Sequence, residues 1–341
     1  MKFHGFKRTV VLVIAGSVSL LMALGLLSCA GKRNAQSQGP VTITPLEGKL
    51  RVEIDGDLFT EYIYEGGFKP ILYPIIGPYG IGMTRNFPMK AGVEGEADDH
   101  PHQRSLWFTH GEVNEANFWA EGPDCGKTVQ AELIKAEGGP DHGVIRTRNK
   151  WVGTDGKVQC SDTRTITFRD APGARIIDYQ ITIHASEGDV TFSDTKEGTM
   201  GIRTHPNLRL ENDPERGVTT ANGQAVNSEG VEGREVWGKR AKWVDYWGTI
   251  DGKTVGVAIF DNPGNPRHPT WWHARDYGLI AANPFGVHDF EEKPEGEGDM
   301  IIKAGDNVTF AYRFLFHEGD TKKAGIADQY ERYAALTGAV K

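Results

Sequence analysis

Apolar side chains recur at every second position in two long stretches of this chain. Ile177, Tyr179, Ile181 and Ile183 share one parity, while Asp178, Gln180 and Thr182 take the other. Phe310, Tyr312, Phe314 and Phe316 repeat the pattern near the end. Successive side chains of a strand point to opposite faces, so such runs of β-branched and aromatic residues predict half-buried strands. Between the runs stand Asp55-Gly56, Asp155-Gly156 and Asp251-Gly252. Asp-Gly suits a type I′ hairpin, whose central residues need positive φ. Residues 50–54 are thus expected to pair with 59–64, and 243–250 with 254–260. Hairpin-linked strands make antiparallel sheets, and many of them make a sandwich. The expected fold is all-β, a large antiparallel β-sandwich with one C-terminal helix. Ile326, Tyr330 and Tyr333, at helical spacing, mark that helix, with Asp320 or Thr321 as its cap.

The pattern changes at the start of the chain. Lys2, Lys7 and Arg8 precede an almost unbroken apolar run over residues 10–27, which ends at Leu26-Leu27-Ser28-Cys29. A basic stretch, a short apolar core and small residues at a cleavage point make a secretory signal. Cys29 sits where the bacterial lipobox places its lipidated cysteine. The expectation is a signal peptide over 1–28, a lipid on Cys29, a polar spacer over 29–40, and one β-sandwich domain over 41–341. An uncleaved membrane anchor is the competing reading, and lipid labelling of a Cys29→Ser variant separates the two. The localisation that follows is the cell envelope, with a periplasmic or outer-membrane-tethered lipoprotein.

Composition narrows the partners. The net charge is −8, and a leader carrying three bases and no acid leaves the remainder more acidic still. Nucleic acids and anionic membranes need basic patches, so neither is an expected partner; the membrane contact is through the lipid alone. No glycine-rich strand-to-helix phosphate loop and no nucleophile elbow occurs. Cys125 and Cys160 remain after Cys29, and an exported compartment permits a disulfide that spacing alone does not decide.

Three polar clusters carry the candidate chemistry. The densest runs from Asp98 through Asp99, His100, His102, Gln103, Arg104, Trp107, His110 and Glu112 to Trp119. Were residues 101–109 extended, His100, His102 and Arg104 would share a face. Histidine serves as acid, base or ligand near neutral pH, and arginine stabilises an oxyanion. The second cluster, Arg203-Thr204-His205-Pro206, offers His205 as a general acid or base. The third spans Arg267-His268-Pro269-Thr270-Trp271-Trp272-His273-Ala274-Arg275-Asp276-Tyr277 and Asn283 to Asp289. Loops over 77–95, 261–269 and 284–298 are long enough to be functional. A metal reading lacks a third ligand at any recognised spacing, and the sequence leaves the cofactor open.

The string His100-Pro101-His102-Gln103-Arg104-Ser105-Leu106-Trp107-Phe108, with His110-Gly111-Glu112-Val113-Asn114 and Phe118-Trp119, resembles a family of secreted bacterial domains labelled "PmoA family" or methane-oxygenase-like. The resemblance extends over most of the chain beyond the leader. Methane oxidation is not implied, because a particulate methane monooxygenase subunit is an integral membrane protein and no later segment here is apolar enough to span. The ending from Ile302 to His317 more loosely resembles the closing strands of the galactose-mutarotase-like supersandwich. That resemblance implies a concave sheet face carrying polar groups and a carbohydrate ligand.

The leading expectation is an envelope-tethered carbohydrate-active enzyme, with hydrolase, lyase and epimerase chemistry open. His102, Arg104, His205 and His288 are the catalytic candidates. His100, Trp107, His110, Glu112, Trp119, Arg203, Trp272, His273 and Asn283 are the substrate-binding ones, with Trp107, Trp119 and Trp272 as ring platforms. The rivals are a non-catalytic carbohydrate-binding lipoprotein and a structural envelope protein.

Overall fold

In the computed structural model, residues 40–338 are described; Cys29 and the segments expected as signal peptide and spacer, up to residue 39, lie outside them. The strands in chain order begin β1 (Val41–Leu46), β2 (Lys49–Ile54), β3 (Asp57–Ile63), β4 (Ile71–Ile75), β5 (Leu106–His110) and β6 (Lys127–Glu137). Next come β7 (Gly143–Val152), β8 (Val158–Ala171), β9 (Ala174–His184), β10 (Val190–Phe192), β11 (Gly198–Arg203) and β12 (Gln224–Asn227). The last six are β13 (Trp243–Ile250), β14 (Lys253–Asp261), β15 (Trp271–Ala274), β16 (Leu279–Asn283), β17 (Met300–Ile302) and β18 (Asn307–Glu318).

They form two eight-stranded antiparallel sheets and a small pair. The first sheet runs β1-β2-β3-β4-β5-β11-β16-β15, the second β12-β13-β14-β18-β9-β8-β7-β6, and β10 pairs with β17. Both predicted hairpins form. Asp55 and Gly56 have φ of 54° and 78°, and Asp251 and Gly252 have 48° and 72°, the positive values a type I′ turn needs. The alternating runs behave as read: Ile177, Tyr179, Ile181 and Ile183 of β9 and the four aromatics of β18 are buried, while Gln180 is exposed. These inner faces meet Leu106, Phe108, Met200, Ile202 and Ile280 of the first sheet in one continuous core. Trp272 belongs to this core, fully buried, with its indole N–H donated to the Ala241 carbonyl at 2.9 Å.

The C-terminal helix forms as α2 (Ile326–Gly338) and lays Ile326, Tyr330 and Tyr333 on Ala258, Phe260 and Leu315 of the second sheet's outer face. Its expected caps act elsewhere. Asp320 accepts from the Lys323 N–H in the preceding turn, and the Thr321 hydroxyl donates to buried Asp245. A second, five-residue helix, α1 (Val287–Glu291), falls within the stretch read as loop. Among the described residues no helix is long and apolar enough to cross a membrane. Cys125 and Cys160 are both free, Cys160 buried in the core.

The outer face of the first sheet positions the polar clusters. Register brings Ile71, Trp107, Gly201, Ala281 and His273 into one row across β4, β5, β11, β16 and β15. A Cβ on Gly201 would lie 2.9 Å from the Trp107 ring, so the missing side chain lets the indole lie on the sheet. The loops before and after β5 and the β15–β16 turn cover this face, packing Met89, Trp119 and Tyr277 around Trp107.

Candidate functional site

Residues 100–105 are not a strand, so the shared face expected for His100, His102 and Arg104 does not exist. β5 begins at Leu106, and His100 and Ser105 have φ of 44° and 55°. Left-handed residues break the alternation on which that reading depended. The segment instead wraps around a buried ionic hub. Asp99 accepts from Arg85 and, at 2.8 and 3.2 Å, from one nitrogen of Arg203. It also lies 3.1 Å from His100 Nδ1. Arg85 further donates to the carbonyls of Ala97 and His100, and Arg203 to the Gln103 amide oxygen. Burial alone would raise the Asp99 carboxyl, but the hydrogen bond to His100 and the guanidiniums of Arg203 and Arg85 hold it well below the usual range. Arg203 is 1% exposed and fully engaged, so it is a support and not a substrate ligand.

Arg104 is likewise committed. Its Nε lies 2.9 Å from both Glu121 oxygens, and Nη2 lies 2.8 Å from one. Lys69, buried behind them, takes Glu121 at 2.9 Å, donates to the Trp119 carbonyl at 3.2 Å and sits 5.8 Å from the Trp107 ring. Burial lowers the lysine to about 8. The guanidinium expected to stabilise an oxyanion is neutralised by a carboxylate.

Three side chains remain open to chemistry: His100, His102 beside it, and Glu197, which feels the charge of His100. His100 stacks on Tyr277 with ring centroids 5.0 Å apart and 9° between planes. His102 stands edge-on to His100 at 5.8 Å and lies 6.2 Å from Trp119. Burial, then the charge of Lys69, lowers His102 to about 4, so its imidazole is neutral at physiological pH. Among the described residues neither of its nitrogens has a hydrogen-bond partner. Glu197, just before β11, is half-buried, and burial raises its carboxyl against the pull of Lys196, His100 and Arg275. No described donor bonds that carboxyl. Arg275 lies 5.6 Å from the Tyr277 ring centroid and 5.8 Å from that of Trp237. Two buried indole N–H groups nearby, on Trp107 and Trp119, and the buried Thr199 hydroxyl have no protein partner. Alongside the hub runs a polar cleft of about 280 Å³ between Asp99, His100 and Tyr277 on one side and Arg209, Asp213 and Arg216 on the other.

The other sequence candidates scatter. His205 lines a different hollow with Tyr79 and Asp251. His288 is exposed on α1, its Nδ1 2.6 Å from the Lys293 carbonyl. His110 points into the core against Phe192 and Phe285, its Nε2 on the Ser193 carbonyl at 2.7 Å. Glu112 is exposed and accepts from the Ser193 hydroxyl. Asn283 is buried and caps the N–H groups of Phe285 and Gly286 while donating to the Thr195 carbonyl. His273 is buried on the outer face of β15, with Nδ1 2.7 Å from the Lys196 carbonyl, and burial lowers it to about 4. Trp107, Trp119 and Trp272 are at most 2% exposed, so none offers a face to a ring from outside. Exposed aromatic surface belongs instead to His100 with Tyr277.

Sequence reasoning missed Glu197, Tyr277 and Lys69 as members of the constellation. Tyr277 stood inside a quoted cluster, but nothing in the spacing tied it to His100. Among the described residues no group of three or more His, Cys, Asp or Glu side chains is arranged to hold a metal ion.

Residues 49–331 match a family described as "Family of unknown function (DUF6807)". No curated protein matches the chain. Among solved structures, the galactosidase domain of an alpha-galactosidase-sucrose kinase aligns at 8% identity and a TM-score of 0.38, over 82% of this chain and 42% of that one. The chain thus spans about two fifths of that protein's length. A galactose mutarotase related enzyme from Lactobacillus acidophilus aligns at 10% identity and 0.30, over 81% and 97%. A galactose mutarotase-like protein from Lactobacillus casei ATCC 334 aligns at 7% and 0.34, over 81% and 100%. These likenesses bring no activity with them.

Proposed function

The chain belongs to the DUF6807 family, whose function is unknown, and from that premise we propose that the outer face of the first sheet carries a carbohydrate-active site centred on His102 and Glu197. The observation that carries this reading is that two protein-unbonded, oppositely tuned groups both border His100: the His102 ring stands 5.8 Å from it, and the Glu197 carboxyl feels its charge. His102 is a neutral base near pH 7, because burial keeps the proton off. Glu197 is a carboxyl whose burial favours the protonated form. Two groups in one site with environments that push them to opposite tasks are the usual signature of acid–base catalysis.

On this reading a sugar ring lies against the His100–Tyr277 stack. His102 takes a proton from a hydroxyl of the ring, and Glu197 gives one to the ring oxygen or the departing group. Arg275 offsets negative charge developing beside Glu197. As written the pair of transfers opens a hemiacetal ring, the step of an anomeric epimerase; in a hydrolase His102 would take its proton from an attacking water, and in a lyase from a ring C–H. The binding-only alternative would use the same aromatic stack without the proton-transfer pair, and binding that survives loss of both His102 and Glu197, with no turnover, would favour it. An envelope address through Cys29 belongs to the same proposal.

A screen of the purified chain against a glycan panel, with product analysis, tests it. His102→Ala and Glu197→Gln should each cut turnover by about 10²–10⁴ while leaving the melting temperature near that of the parent. His205→Ala and His288→Ala should leave it intact. Full turnover by folded His102→Ala would end the proposal.

A further inference from the structure

A separate hollow of about 500 Å³ opens where the turn after β4 meets the β13–β14 hairpin, within the size range of small-molecule sites. Its floor is apolar, from Pro74 and buried Ile81. Its rim is polar, from His205, Asp251 and Lys253. Tyr79 stands over the edge, 52% exposed, the most exposed aromatic ring among the described residues' large apolar side chains.

Tyr79 is held there against its backbone preference. Its φ of 60° lies in the left-handed region, which a bulky residue adopts at a cost. Glycine would take the same conformation freely. Lys253 lies 5.2 Å from the Tyr79 ring centroid, and the Glu318 carboxylate beside the Tyr79 hydroxyl raises the phenol's titration. A strained, exposed, anchored aromatic beside a hollow is an outlier that packing does not explain.

His205 supplies the second feature. Its Nδ1 accepts the Asn207 N–H at 3.2 Å, so the neutral ring carries its proton on Nε2 as a donor. Burial lowers its titration, against the pull of Glu96 and Asp251. The hollow therefore offers an imidazole donor, an ammonium donor and a carboxylate acceptor around an apolar floor. A pyranose ring presents the complement, a C–H face and a girdle of hydroxyls that both donate and accept.

We propose that this hollow is a second, non-catalytic binding site for a glycosyl ring, with Tyr79 as platform and Asp251, His205 and Lys253 as hydroxyl partners. It goes beyond the reading above and shares only its ligand class. Thr84 and Asn86 line the hollow, while Arg85 between them turns the other way to Asp99. The two sites therefore sit on opposite sides of one segment. No acid–base pair is needed here, and His205 keeps a role without being catalytic.

Affinity electrophoresis of the whole chain through gels containing galactomannan, arabinoxylan, pectin or mixed-linkage β-glucan tests the proposal. At least one polysaccharide should retard the chain, and the retardation should persist in a His102→Ala/Glu197→Gln double variant. Tyr79→Gly, which relieves the backbone, should weaken retention at least tenfold without lowering the melting temperature. Asp251→Ala should weaken it likewise, and Tyr79→Phe should restore it. Retention lost in the double variant but kept in Tyr79→Gly would overturn the second site, as would no retention by any of the four. Retention that needs Tyr79, with no turnover of any glycan, would instead count against the reading of the first site alone.

Discussion

At the level of single residues, the site is supported by a charge that was visible in the sequence but not assigned a task. Asp99 compensates two guanidiniums that are almost completely buried, Arg85 at 2% and Arg203 at 1% exposure. Removing one partner from such a cluster leaves uncompensated charge in a medium of low polarity, which costs about 3–5 kcal/mol. Asp99→Asn should therefore lower the melting temperature by roughly 5–10 °C and loosen Tyr277, whose ring lies 4.5 Å from Arg203. A melting temperature within a degree of the parent would show that the hub is not structural. The cluster from Asp98 to Trp119 holds the hub's Asp99 and the His100 and His102 rings beside it. Its division of labour was not legible, because Arg104 faces Glu121 seventeen positions away and Arg203 faces Asp99 across a hundred and four. Such pairings are set by tertiary contact.

Among the elements, what repeats locally was readable and what depends on coverage was not. The Asp55-Gly56 and Asp251-Gly252 turns carried their own φ requirement, while at Asp155-Gly156 only the glycine takes positive φ; β9 and β18 carried their own alternation. Each needs only a few consecutive residues to be recognised. The loop layer over the first sheet has no period. Its left-handed residues, His100 and Ser105, are not glycines, so nothing in the sequence announces them. The same limit explains the tryptophans. Trp107 alternates like any strand residue, and only the covering loops decide that it is buried. The five-residue α1 escaped because so short a helix leaves too little periodicity to read. Trp272 shows the reverse: placed by parity on β15, it faces the second sheet, where a large apolar side chain most often belongs.

For the whole molecule, buried imidazoles set how the fold responds to acid. Burial lowers His102, His110 and His273 each to about 4, against an ordinary value of 6.5. Each stays neutral in the folded chain where the unfolded chain would bind a proton. Their contribution is complete above pH 6.5 and is lost as pH falls towards 4. The loss is on the order of 3 kcal/mol for each of the enclosed rings, His110 and His273, and less for His102, which is partly exposed. His317 runs the other way. Asp245, 2.9 Å from its Nε2, raises it despite burial, so its contribution is present at acid pH and fades as pH rises through its folded value. The melting temperature should fall steeply between pH 6.5 and 4, and His273→Gln should flatten that fall. A melting temperature constant over the same interval would contradict the burial of these rings.

Whether a sugar binds on the outer face of the first sheet is open to direct observation. A crystal structure of the chain with the sugar selected by the glycan screen addresses it directly. The account predicts ring density against the His100–Tyr277 stack, with His102 and Glu197 in hydrogen-bonding contact with the ligand. Density at other surfaces, with both of those side chains untouched, would contradict it.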